Sequence, residues 1–251
     1  MPGGGTRHLD FDDHTSLDLT GVSTLVLISA GYTEDDQVVG RHAAVLDAAV
    51  RDGVDHIVYT SLTTAGDHLG FALAHRATER LVRASGLPWT ILRNGLYAEL
   101  FGGLLMWADG GVESAFGDGA LAAVAREDLA DAAAAVAANP APHSGRIYDL
   151  VGTPITAGQV ADRLGVPHRT IGLGEYRRRL LDETPGLLPF QPPMLASIAT
   201  GIRHGFLDGA TPDLTDLLGR AGRDSLATAV SAASATRPDA SLQYSSDTSQ
   251  S

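Results

Sequence analysis

Two apolar runs of the chain end in small groups of polar residues. The run from Val54 (VDHIVYTS) closes on Thr60-Ser61, and the run from Leu87 (LPWTILRNG) closes on Arg93-Asn94-Gly95, with Tyr97 just beyond. Hydroxyls, an amide and a guanidinium at strand ends bind and orient a ligand, because in open α/β sheets ligands sit beyond the carboxyl ends of the strands. The stretch between the runs, residues 71–85, has helical spacing and carries His75, Glu79 and Arg80. Asn94 and Tyr97 follow one strand and His75 lies on the preceding crossover helix, so the three converge on one pocket. His75 and Glu79 are four apart and share a helix face. From the residues alone that face reads as solvated, with a weak ion pair.

The rest of the chemistry is bounded by absences. The 251 residues contain no cysteine and no lysine, and the formal net charge is −12. Thiolate nucleophiles, disulfides, cysteine metal sites, a Schiff-base lysine, a Walker lysine and a Tyr-x-x-x-Lys pair are therefore excluded. The acidic balance argues against nucleic acid as a partner, since phosphate neutralisation needs positive charge. No apolar run approaches the ~20 residues of a membrane span. The opening MPGGGTRHLDFDDH lacks the apolar core of a signal peptide. Together these place the expected location in the cytoplasm.

The elements that position the polar ends read as a βαβ pattern, which builds parallel sheets. Thr24–Ile28 (TLVLI) is a continuous apolar run, as expected of a strand buried on both faces, and Ser29-Ala30-Gly31 are small residues at its carboxyl end. Thr33 reads as the N-cap of a helix whose first turn is acidic. Its apolar stripe is Val39, Ala43, Leu46 and Val50, and Gly53 closes it. His56 reads as a surface residue at a strand edge. Gly86 caps helix 71–85. Residues 96–108 are apolar and mostly core, GVESAFGDGA is turn-rich, Arg126 opens an alanine-rich helix running to Ala138, and Arg146–Leu150 is a further strand. Near the start, residues 7–10 read as a short strand and Phe11–Leu19 as a small acidic helix. The cluster of His8, Asp10, Asp12, Asp13 and His14 lacks the spacing of a metal site and reads as a solvated helix start, so no metal is expected.

From Gly152 the character changes. Thr156-Ala157-Gly158-Gln159 is a capping-box pattern, His168–Ile171 is a short strand, and Glu175–Asp182, Met194–His204 and Asp213–Leu218 read as helices joined by irregular connectors. The expected organisation is a partial sheet domain over 1–151, a small, mainly helical substrate lobe over 152–235, and a polar, disordered tail over 236–251.

Several stretches together resemble a family: HIVYTSL, HRATERLV, TILRNGLY, Arg126-Glu127-Asp128-Leu129-Ala130, Tyr148-Asp149-Leu150-Val151-Gly152 and Gly205-Phe206. In order and spacing they are similar to the NmrA-like atypical short-chain dehydrogenases, nearest the NAD(P)H-dependent quinone oxidoreductase branch. The likeness runs from about Thr6 to about Ala233. It implies a Rossmann-type α/β fold with a small C-terminal lobe and NADP or NAD across the carboxyl edge of the sheet. It further implies hydride transfer to a quinone or similar small acceptor, or else a non-catalytic, redox-sensing regulator. By that resemblance Asp10 and Phe11 lie near the adenine, and Ser29, Ala30 and Gly31 lie beside the ribose and phosphates. Thr60, Ser61 and Leu62 flank the nicotinamide ribose, Arg93, Asn94, Gly95 and Tyr97 border the nicotinamide and acceptor, and His75 is a pocket residue.

One departure stands out. The family opens with a strand, a Gly-x-x-Gly-x-x-Gly turn and a helix, whereas Gly3-Gly4-Gly5 neither follows a strand nor precedes a helix. The chain reads as starting at the family's third strand, which implies weak or absent cofactor binding, an inactive chain as given, and an open sheet edge inviting self-association. A misplaced start, a decayed gene and a rebuilt sheet that has lost the cofactor remain three explanations.

Overall fold

The computed structural model describes residues 5–30 and 33–238; the expectations for Gly3, Gly4, Gly31 and residues 239–251 lie outside them. In chain order the elements are β1 (Thr24–Ile28), α1 (Asp35–Arg51), β2 (His56–Leu62), α2 (Ala72–Ala84), β3 (Trp89–Asn94), α3 (Ala98–Gly103), β4 (Met106–Ala108), β5 (Gly111–Ser114), β6 (Ala120–Ala123) and α4 (Arg126–Ala138). They continue with β7 (Arg146–Leu150), β8 (Thr153–Thr156), α5 (Ala157–Leu164), β9 (His168–Thr170), α6 (Leu173–Asp182), α7 (Gln191–Arg203), α8 (Asp213–Leu218) and α9 (Ser225–Ala235).

The central sheet has the order β1-β2-β3-β7, with every pair parallel. This is the expected α/β architecture. β2 is covered on both sides and so reads as an unbroken apolar run rather than an alternation, whereas β1, expected to be buried on both faces, buries Leu27 alone. Its odd-numbered residues Ile57 and Tyr59 join Leu27, Ile91, Val45, Leu46 and Val82 beneath α1 and α2. Its even-numbered Val58 joins Leu92, Val124, Leu129, Val136 and Leu150 beneath α4 and α8. Among the described residues β1 has one strand partner, β2, and Ile28 at its end is 69% exposed.

A third cluster fills the remainder of the molecule. Phe101, Phe116, Tyr176, Ile198 and Ile202 pack among α3, α6 and α7. Two small sheets tie this region together: β4-β5-β9 and β6-β8. Asp109 and Gly110, both with positive φ (47° and 75°), make the tight β4–β5 turn. The Asp-Gly pair suits that turn, and the segment 111–120, expected to be turn-rich, opens instead with strand β5. Thr156 and Gln159 complete both arms of the expected capping box at α5.

Several local expectations are corrected. Phe11–Leu19 does not form a helix, only a single 3₁₀ turn at His14–Ser16. Its aspartates bond their own backbone instead: Asp10 Oδ1 accepts from the Asp12 N–H at 2.9 Å and Asp13 Oδ1 from the Thr15 N–H at 3.0 Å. Such local bonds compete with a helix. Residues 7–10 pair with no strand; Arg7 instead donates to the carbonyls of Asp18 and Thr20. Thr33 does not cap α1: Glu34 is the N-cap, without a side-chain bond, and Thr33 Oγ1 pairs with Gln37 Oε1. His56 is buried, not at the surface, bonded through Nε2 to Thr90 Oγ1 at 2.9 Å. The stripe that α1 buries is Val38, His42, Val45, Leu46 and Ala49, leaving Val50 48% exposed. α7 starts at Gln191, before the expected Met194, because Pro192 and Pro193 suit a first helical turn. Among the described residues no helix is long and apolar enough to cross a membrane.

Candidate functional site

The carboxyl ends of β1, β2 and β3 lie side by side. Register pairs Ile28 with Thr60, Ser61 with Arg93, and Leu62 with Asn94. Thr60 Oγ1 accepts from the Ser29 N–H at 3.2 Å, so the first two strand ends are tied together where β1 leaves the sheet. The next amide, Ala30 N–H, donates to His42 Nε2 at 3.0 Å.

Helix α2 supplies the centre of the site. Glu79 is 2% exposed and does not pair with His75, which overturns the solvated-face reading. It sits in a cage of donors. Arg93 reaches it through Nε (2.9 Å) and Nη2 (2.7 Å), Arg76 Nη1 at 2.7 Å, and Ser61 Oγ at 2.7 Å. Burial pushes the Glu79 carboxyl up, but the bonds from Arg93 and Ser61 and the charges of Arg76 and Arg93 outweigh it and hold the group below its ordinary range. Arg76 also donates to the carbonyls of Leu62 and Thr63, fixing the turn after β2. The remaining Arg93 nitrogen, Nη1, bonds Thr64 Oγ1 at 2.9 Å. Arg93 therefore holds the site together from within.

His75 faces Tyr59, whose hydroxyl lies 3.1 Å from its Nδ1. Burial, then the nearby His42 and Arg76, push the His75 imidazole down to about 4, so it is neutral at pH 7. Tyr59 is driven up to about 12 by burial, with bonds to Thr78 and Ser29 opposing. One turn before His75, Phe71 meets it edge-on, ring centroids 6.4 Å apart. Phe71 also lines a cleft of about 410 Å³ between the starts of α1, α2 and α7, whose walls are Glu34, Asp35, Asp36, Gly70, Phe190, Pro193 and Met194 with Thr33.

At the end of β3, the Asn94 Oδ1 is buried with no hydrogen-bond partner. A buried acceptor left unpaired costs about 1–3 kcal/mol and calls for a reason. Gly95 follows because a Cβ there would come within 3.0 Å of the Leu150 carbonyl. Tyr97 turns toward the α4 side of the sheet, where the Arg126 guanidinium lies 4.8 Å from its ring centroid. The structure thus brings Ser29, Ala30, Thr60, Ser61, Leu62, Arg93, Asn94 and His75 to one edge, but Tyr97, expected in the same pocket, lies on the opposite side of the sheet from His75. Asp10 and Phe11 stand apart, alongside α1, where Asp12 pairs with Arg41 at 2.6 Å and Phe11 packs on the β1–α1 core.

Asp149, on β7, was visible in the sequence only as part of a motif. Its carboxylate accepts from Thr63 Oγ1 and from the Thr64 N–H, pinning the turn after β2 to the neighbouring strand. Tyr59 and His42 had no local signal, because each lies inside an otherwise apolar element.

The residues fit a nicotinamide dinucleotide at one end. The orphaned Asn94 acceptor suits an amide donor, and small side chains leave room along the strand ends. The phosphate end is thinly supplied among the described residues: the Ala30 N–H is already engaged, and the carboxylates of Glu34, Asp35 and Asp36 follow.

A family model described as NAD(P)H-binding matches residues 9–140. Quinone oxidoreductase 2 of Escherichia coli K12 is 34% identical over 228 residues, covering 85% of this chain and 77% of that protein. The crystal structure of Citrobacter sp. triphenylmethane reductase complexed with NADP(H) superimposes with a TM-score of 0.79 at 29% identity, covering 90% of this chain and 83% of that one. The Escherichia coli NADPH-dependent quinone oxidoreductase complexed with NADPH gives 0.76 at 32% identity, over 90% and 82%.

Proposed function

The chain belongs to the NAD(P)H-binding, NmrA-like family of oxidoreductase-like proteins, and from that premise we propose that it passes a hydride from NADPH or NADH to a quinone or similar planar acceptor. The observation that carries this reading is the buried, unpartnered Asn94 Oδ1 at the end of β3. When bound, the dinucleotide supplies the hydride; a quinone takes it together with one proton and becomes a hydroquinone. The protein's part is orientation and exclusion of water. Asn94 accepts from the cofactor's amide end. Tyr59 donates to Nδ1 of the neutral His75, which leaves Nε2–H as a donor toward the acceptor's oxygen as charge develops there.

The phosphate end sets the affinity. With carboxylates behind the Ser29-Ala30 loop, the polypeptide holds NADPH no tighter than about millimolar, and below that concentration turnover falls in proportion to the cofactor. β1, which has one strand partner among the described residues, also favours self-association through its outer edge. Oxidation of NADPH across a quinone panel, saturating only at millimolar cofactor, is the expected result. No oxidation at any NADPH concentration sinks the enzyme reading. It leaves the alternative, a dinucleotide-responsive regulator, to be tested by whether NADPH alters a partner's affinity.

A further inference from the structure

The buried face of α1 runs Val38, His42, Val45, Leu46 and Ala49. Leucine is the default occupant of such a stripe, yet position 42 holds an imidazole with no exposed surface. Both ring nitrogens are engaged. Nε2 takes the Ala30 N–H at 3.0 Å and Nδ1 lies 2.8 Å from Thr78 Oγ1, whose own hydroxyl donates to the Ala74 carbonyl at 2.9 Å. An amide N–H can only donate, so Nε2 is unprotonated and Nδ1 carries the hydrogen. Burial, with a contribution from Arg41, pushes this imidazole down to about 4, which keeps that neutral form. The ring stands edge-on to Tyr59, centroids 5.7 Å apart.

One imidazole therefore joins two walls of the site. Through Nε2 it holds the backbone leaving β1, and through Nδ1 it grips α2 one turn beyond His75. The preceding amide, Ser29 N–H, is held in turn by Thr60. Two consecutive amides of the β1–α1 loop are thus fixed by side chains from the sheet and the helix. An apolar residue at 42 would fill the same space but leave the Ala30 N–H without its acceptor. We propose that His42 is a positioning residue for dinucleotide binding, holding the Ser29-Ala30 backbone in the conformation that faces the cofactor; this rests on the dinucleotide-binding reading above.

The test compares the unmodified protein with His42→Phe and His42→Gln by NMR. Imidazole nitrogen shifts report the tautomer, amide exchange reports Ala30, and NADPH titration by shift perturbation reports affinity. The unmodified protein is expected to show hydrogen on Nδ1. His42→Phe is expected to speed Ala30 exchange and weaken NADPH by about tenfold each, the scale of one hydrogen bond, with the KM for quinone unmoved. His42→Gln, whose side-chain oxygen can replace Nε2, is expected to restore most of both. Hydrogen on Nε2 in the unmodified protein overturns the proposal even if His42→Phe fails to fold. So does an Ala30 amide released in His42→Phe with NADPH affinity unchanged. If the unmodified protein shows the expected tautomer and Ala30 protection but no NADPH response at all, the dinucleotide reading has failed, and His42's role in cofactor binding falls with it while its bond to Ala30 stands.

Discussion

Arg93 and Glu79 meet fork to fork, Nε to Oε1 at 2.9 Å and Nη2 to Oε2 at 2.7 Å. The pair links the end of β3 to the middle of α2 underneath the strand ends. Arg76 and Ser61 also donate to Oε1 and Arg83 Nη2 reaches Oε2 at 3.3 Å, so the buried charge is fully satisfied. Removing one partner of such a pair leaves the other charges uncompensated, at roughly 3–5 kcal/mol. Glu79→Gln is therefore expected to lower unfolding free energy by about 3 kcal/mol, read as a lower denaturant midpoint with unchanged slope. An unmoved midpoint would show that the cage adds nothing to stability.

Asn94 makes the opposite prediction. Its Oδ1 has no partner within the fold, so removing it relieves a buried unpaired acceptor rather than breaking a bond. Asn94→Ala is expected to leave stability nearly unchanged while reducing kcat/KM with a quinone by about tenfold, one lost polar contact near the reacting groups. Normal kinetics in that variant would remove Asn94 from the site.

The edge of the site was legible where chemistry and periodicity coincide. β2 and β3 stand out as apolar runs with polar ends, and the Thr156–Gln159 capping box was readable residue by residue. The buried stripe of α1 was not: His42 sits in it, and treating a histidine as polar shifted the expected stripe toward Val39 and Val50. The same bias made His56 a surface residue and Glu79 a solvated one. In each case a bond from a distant residue, Thr78, Thr90 or Arg93, permits the burial, and no local pattern encodes such a partner.

Acid sensitivity follows above all from the two most strongly depressed imidazoles, with His56 and His168 lowered by burial in the same direction. His42 and His75 are both pushed down to about 4, by burial first and then by Arg41 for His42 and by His42 and Arg76 for His75. Unfolding returns each to its ordinary 6.5, so between these values the unfolded chain binds more protons and stability rises with pH. The stabilisation is complete above pH 6.5 and drains as pH falls toward 4, at about 3 kcal/mol per histidine. Denaturant midpoints at a series of pH values should fall across that window, and His42→Gln should flatten the slope. A flat profile in the unmodified protein would mean that neither imidazole is held neutral.

The last expectation concerns the outer edge of the sheet. β1 is five residues of Thr, Leu and Val ending in Ile28, with no charge among them, and β2 is its one strand partner among the described residues. Every second residue of a parallel edge strand turns its N–H and C=O outward, and an uncharged strand of this kind is a template for another chain. Leu25 and Val26 are half-buried, whereas Ile28 is 69% exposed and lies where the strand meets the Ser29-Ala30 loop. A second copy adding its own β1 there would extend the sheet and cover Ile28. Ile28→Lys places a charge on that edge without entering the core beneath α1, so folding should be preserved while pairing is opposed. Light scattering should show mass rising with concentration for the unmodified protein and staying at one chain for Ile28→Lys. A monomer at every concentration before substitution would show that the edge is protected by the chain itself.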